Sequence, residues 1–125
     1  MDVRIQVLQR LGAIEVLALH LTDLGAPPFV RQHPVKFTGM RNPYRLDFAW
    51  LDWKLCVEVQ GGVWIGGGHT TPQGYIRDRQ RMNRLVIGGW HILEYTPEMV
   101  KSGEAALEIV KYLAMLKERR GEMTF

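Results

Sequence analysis

The sequence predicts an α/β fold built on a mixed sheet, and three observations predict it. Apolar residues recur at helical period over 3–24, 75–86 and 105–119, short strand-like runs occupy 44–51, 54–60 and 90–95, and the two kinds of run interleave along the chain. In the first helix, Val7, Leu8, Leu11, Ile14, Ala18, Leu21 and Leu24 share one face, and Gly25-Ala26-Pro27-Pro28 stops it. Residues 29–37 read as extended, and Gly39 with the Asn42-Pro43 pair marks a turn over 38–43. Strand 44–51 sets Leu46, Phe48 and Trp50 on one side and Arg45, Asp47 and Ala49 on the other; strand 54–60 sets Leu55, Val57 and Val59 against Cys56, Glu58 and Gln60. A two-residue connection, Asp52-Trp53, makes these an antiparallel hairpin with Leu51 opposite Lys54 and Asp47 opposite Glu58. Residues 61–74 hold six glycines and read as a mobile loop before helix 75–86, which Gly88-Gly89 closes. Thr96-Pro97 starts a helical turn after strand 90–95, and helix 105–119 buries Ala106, Ile109, Val110, Leu113 and Leu116. A strand, crossover helix and strand in series favours parallel pairing for the last strand, so a mixed sheet with helices on its faces is expected.

Composition bounds what this fold can do. A chain of 125 residues, 46% hydrophobic and 23% charged, fits a single domain over 1–125 and excludes the large barrel enzymes. One cysteine excludes an intramolecular disulfide and a cysteine-rich zinc site, so a reducing compartment is expected. Without a long apolar run or a signal-like N-terminus, the expected setting is cytoplasmic, with no membrane. A formal charge of +3 permits nucleic acid as a partner without demonstrating it.

Three carboxylates stand out. Glu15 falls inside the apolar arc of the first helix, where a charge needs a partner or a metal; the plainer alternative is a half-exposed pairing with an arginine. Asp47 and Glu58 are polar members of otherwise apolar strands, and directly opposed like charges point to a bound cation or a raised pKa. Hard divalent cations take such oxygens, which makes Mg²⁺ or Mn²⁺ the expected cofactor, with Glu15 in reserve. The alternative is that the register slips or the pair meets Arg45 and Lys54 in solvent. Gln60 shares the Glu58 face and suits a hydrogen bond to water or phosphate, although a strand-end Gln is common.

Helix order and residues together resemble the PD-(D/E)xK nuclease superfamily over about residues 5–100. The match rests on Glu15, on the hairpin with Asp47 and then Glu58-Val59-Gln60, and on the αβββαβ order of a restriction-endonuclease-like core with a C-terminal helix added. The run from Val57 to Thr96 is similar to small phage-type and very-short-patch-repair-like endonucleases through Glu58, Gln60, Gly61, Gly62, Trp64, Gly67, His69, Asp78, Arg81, Asn83, Gly89, Trp90 and Leu93. The resemblance implies that Asp47 and Glu58 are metal ligands, with the Val59 carbonyl a third. It also matches Glu15 to the N-terminal helix glutamate of archaeal-type Holliday junction resolvases. Gln60 departs from the usual lysine and Leu46 from the usual proline; the first change removes a cation that helps orient the nucleophile.

On separate grounds, Arg77, Arg81 and Arg84 recur at helical spacing, preceded by His69 and Thr70-Thr71, a pattern suited to phosphate. A solvated face with an Asp78–Arg81 pair is the plainer reading. His69 is left between acid–base catalysis, a phosphate contact and a polar loop residue, and Trp64 between base stacking and packing on the core or a dimer contact. The expectation is therefore a metal-dependent endonuclease acting on DNA, branched or otherwise structured, as a homodimer. The alternatives are a mismatch- or sequence-directed nicking enzyme and a non-catalytic DNA-binding module on the same fold.

Overall fold

A computed structural model describes residues 12–60 and 71–122. The elements run α1 (Ala13–Asp23), β1 (Val30–Val35), β2 (Tyr44–Trp50), a 3-10 turn (Leu51–Trp53), β3 (Leu55–Val59), α2 (Pro72–Ile87), β4 (His91–Tyr95), α3 (Pro97–Lys101) and α4 (Glu104–Glu122). The chain divides into two compact units, residues 28–94 and residues 1–27 with 95–125.

The unit of residues 28–94 carries the four-stranded sheet, in the order β1-β2-β3-β4. β1 pairs antiparallel with β2, and β2 with β3. The His91 N–H donates to the Lys54 carbonyl at 2.8 Å, joining the leading ends of β4 and β3, so the last strand runs parallel to its neighbour. The sheet is mixed, as the strand–helix–strand order predicts, and α2 is its crossover. Leu46, Ala49 and Cys56 from the strands and Leu85 from α2 form a fully buried cluster, with Phe37, Trp90 and Ile92 packed around it. Phe48 and Trp50 instead meet the edge of Phe29, at centroid distances of 5.3 and 5.7 Å.

The hairpin keeps the expected register, with Phe48 opposite Val57 and Trp50 opposite Leu55, but its connection differs. Leu51 to Lys54 all lie outside the ladder, and Lys54 takes a left-handed conformation at φ 48°. A four-residue loop built on a tight turn reverses the chain in the same register as the expected two-residue one. The left-handed Lys54 is offset by its side chain, whose Nζ donates to the Gly88 carbonyl at 2.7 Å, where α2 presents its negative end. The start of α2 also differs from expectation. Glycine content assigns residues 72–74 to the loop, yet the Thr71 hydroxyl accepts from the Gly74 N–H at 3.0 Å and Pro72 sits in the first turn, so capping begins the helix three residues earlier.

The other unit is helical. α1 buries Val16, Leu17 and Leu21 and packs on α3 and α4, while Leu24, expected on the buried face, is exposed. Thr96 caps α3 by accepting from the Met99 N–H at 3.3 Å. α4 buries Ala105, Ala106, Ile109, Leu113 and Leu116, close to the expected stripe, and the Tyr95 hydroxyl donates to Glu108 at 2.9 Å. Among the described residues no helix is long and apolar enough to cross a membrane.

Candidate functional site

The sheet is irregular where its carboxylates lie. Gln32 in β1 has φ 52°, a conformation that costs an L-residue about 1–2 kcal/mol. The β1–β2 ladder pairs Arg31 with Phe48 and His33 with Leu46 but skips Gln32 and Asp47, and the β2–β3 ladder ends at Phe48 and Val57. Backbone N–H groups released by this break are taken up by side chains. Val59 N–H donates to Asp47 Oδ2 at 2.9 Å, Asp47 N–H donates to Glu58 Oε2 at 3.3 Å, and Gln32 Nε2 donates to Asp47 Oδ1 at 3.4 Å. The two carboxylates thus cross, each held by the backbone of the opposite strand. The same break corrects the strict alternation expected along β2, because Leu46 joins the cluster of Ala49 while Phe48 and Trp50 pack elsewhere.

Glu58 is only 7% exposed, in a strand expected to be polar on that face but buried along its whole length. Its Oε1 is buried without a hydrogen-bond partner. Burial, then the charge of Asp47, push the Glu58 carboxyl up to about 7, against the opposing hydrogen bonds from the Tyr44 hydroxyl and the Asp47 N–H. Burial and the Glu58 charge likewise push the Cys56 thiol up to about 12 and raise the Tyr44 hydroxyl. A buried carboxylate oxygen with no partner beside a second carboxylate is the donor chemistry a hard divalent cation takes, so the residues fit Mg²⁺ or Mn²⁺. The Val59 carbonyl as a third ligand rests on the resemblance alone. Among the described residues, no three His, Cys, Asp or Glu side chains gather closely enough to hold an ion.

Gln60 donates its amide to Glu94 of β4. On α2, Arg81 pairs with Asp78 at 2.9 Å and stacks on the Tyr44 ring with its guanidinium 3.8 Å from the centroid. That is the plainer reading of Arg81, since it is committed within the fold. Arg77 and Arg84 are exposed, make no ion pair among the described residues, and line one side of a cavity of about 470 Å³ with Phe37, Met40 and Tyr44 on the other.

Glu15 is exposed in α1, in the helical unit, so the desolvation argument that singled it out does not hold; its carboxylate turns back over Gly12. The buried stripe passes through Val16 and Leu17 instead. His69, Trp64 and Thr70 lie outside the described residues. Tyr44, Gln32 and Glu94 join the site although the sequence reading passed over them. Alternation assigns Tyr44 to the face opposite Asp47, and only the break at Asp47 brings it beside Glu58; Glu94, the polar member of an apolar strand, carried the same signal as Glu58.

No family model and no solved structure matches the chain. Two proteins of Mycobacterium tuberculosis strains, both described only as uncharacterized (MT2308 and Rv2248), are 31% identical to it over 97 residues, 76% of this chain and 34% of theirs. The chain spans about a third of the length of the curated relatives it matches.

Proposed function

We propose that the chain is a metal-dependent endodeoxyribonuclease that hydrolyses phosphodiester bonds in branched or otherwise structured DNA and works as a homodimer. The observation that carries this reading is the crossed Asp47–Glu58 pair with the buried, unpartnered Glu58 Oε1. Asp47 and Glu58 would hold Mg²⁺ or Mn²⁺, and such an ion, when bound, acidifies water and neutralises charge developing on a phosphoryl oxygen. Val59 and Gln32 fix the Asp47 carboxylate, and the Asp47 N–H fixes that of Glu58, so both are oriented before substrate arrives. Arg77 and Arg84 are free to meet phosphates, while Arg81 braces Tyr44. Glu15 and His69 enter on the resemblance, and Gln60 by its place two residues beyond Glu58, as assistants in positioning water or moving protons; Trp64 and Thr70, outside the described residues, enter as further DNA contacts on the sequence pattern.

One observation favours the non-catalytic alternative. Gln60, at the position where the resemblance expects lysine, is engaged by Glu94 and brings no cation. Both readings meet in a cleavage assay on a four-way junction, a flap, a mismatched duplex and a plain duplex, with Mg²⁺, Mn²⁺ or EDTA. The endonuclease reading expects metal-dependent cutting of the structured substrates that falls at least about a hundredfold in Asp47→Asn and Glu58→Ala. Cutting that survives both substitutions refutes the assigned site, and binding without cutting under either metal favours the DNA-binding module.

A further inference from the structure

We propose that the cavity between α2 and the β1–β2 connection receives one unstacked nucleotide of a DNA strand, its base against Phe37 and Met40 and its phosphates on Arg77 and Arg84. This rests on the reading that DNA is the partner, and it supplies the feature by which structured DNA is told from plain duplex. The volume, about 470 Å³, falls within the range of sites that enclose a small ligand. The apolar wall is held together locally, since the Phe37 N–H donates to Met40 Sδ at 3.3 Å and Phe37 packs on the buried cluster. The opposite wall has its charges already sorted. Arg81 neutralises Asp78 and is stacked on Tyr44, which leaves Arg77 and Arg84 as guanidiniums without an ion pair among the described residues.

An apolar wall facing two spare guanidiniums fits a ligand that is flat and apolar at one end and anionic at the other. Inorganic phosphate leaves the apolar wall unused, and an uncharged ring leaves the arginines unused. A base inside a duplex presents no free face, so the nucleotide that enters must already be unpaired or be extruded, and extrusion is least costly at a branch, bulge or mismatch. Tyr44 lines this cavity and contacts Glu58, so an occupied cavity places the strand beside the carboxylate pair. Selection of structured DNA then needs no reading of base sequence.

The test is equilibrium binding in EDTA, by anisotropy, with a labelled duplex carrying one bulged nucleotide, the same duplex with an abasic bulge, and the fully paired duplex. Inorganic phosphate and a free deoxynucleoside monophosphate are added as competitors. The bulged nucleotide is expected to bind about tenfold tighter than either control, and Phe37→Leu, which removes the ring but stays apolar, and Met40→Gln, which is close in shape, to remove that advantage. Equal affinity for the bulged base and the abasic bulge overturns the proposal, as does an advantage that both variants retain. Competition by the free monophosphate at micromolar concentration, without a bulge preference, assigns the cavity to free nucleotide and also overturns it. Binding to all three duplexes without preference leaves the endonuclease reading standing and removes only this inference, whereas no binding to any of them removes both.

Discussion

Glu58 is the residue on which the site turns, and its burial has a measurable consequence. A carboxyl whose folded value, about 7, lies above its unfolded value of about 4.5 favours the protonated form in the fold. Its penalty is absent below about pH 4.5, grows as pH rises, and levels off above about 7, where it amounts to about 3 kcal/mol. Glu58→Gln removes the charge and keeps the shape, so without divalent cations its melting midpoint is expected several degrees above wild type at pH 8 and level with it near pH 4. A wild type that gains on Glu58→Gln as pH rises contradicts the desolvated carboxylate. Asp47 has the opposite setting, since it is partly exposed and its oxygens accept from Val59 and Gln32.

At the scale of elements, the hairpin register was legible because the reversal falls at 51–54 between two strand-like runs, and counting outward from it sets the opposed pairs. The loop length and the break at Asp47 were not legible, because both depend on backbone conformations that alternation does not encode: left-handed Lys54, bonded to Gly88, and left-handed Gln32 on β1. The position of α2 depends on Leu85, which is fully buried against Leu46, Ala49 and Cys56. Leu85→Ala is expected to cost about 2–5 kcal/mol in chemical denaturation. It should also displace Arg77 and Arg84 with their helix, read as lower DNA affinity at temperatures where the fold persists. A cost below 1 kcal/mol contradicts the packing described. Lys54→Ala is expected to cost about 1 kcal/mol, from the lost bond to Gly88.

For the whole molecule, a formal charge of +3 says little, because what matters is where uncommitted cations stand. Sequence spacing grouped Arg77, Arg81 and Arg84 correctly on one face, but helical period cannot reveal that Arg81 is spent on Asp78 and Tyr44. Arg77→Ala and Arg84→Ala are therefore each expected to lower the slope of log affinity against log salt by about 1, while Arg81→Ala acts mainly through stability. Unchanged slopes in the first two would remove α2 from the DNA-facing surface. Glu15 shows the opposite limit of sequence reading. A projection that treats the helix as uniformly buried put it in the apolar arc, but the stripe that is buried runs through Val16, Leu17 and Leu21 and leaves Glu15 exposed.

The metal site is tested by calorimetric titration of the free protein with Mn²⁺ at pH 6 and at pH 8.5, in two buffers of different ionisation enthalpy. Binding to the Asp47–Glu58 pair must displace the proton that Glu58 holds at the lower pH. Saturable binding is expected that releases close to one proton at pH 6 and almost none at pH 8.5, and that disappears in Asp47→Asn and Glu58→Gln. Absence of binding, or binding that both variants retain, would contradict it.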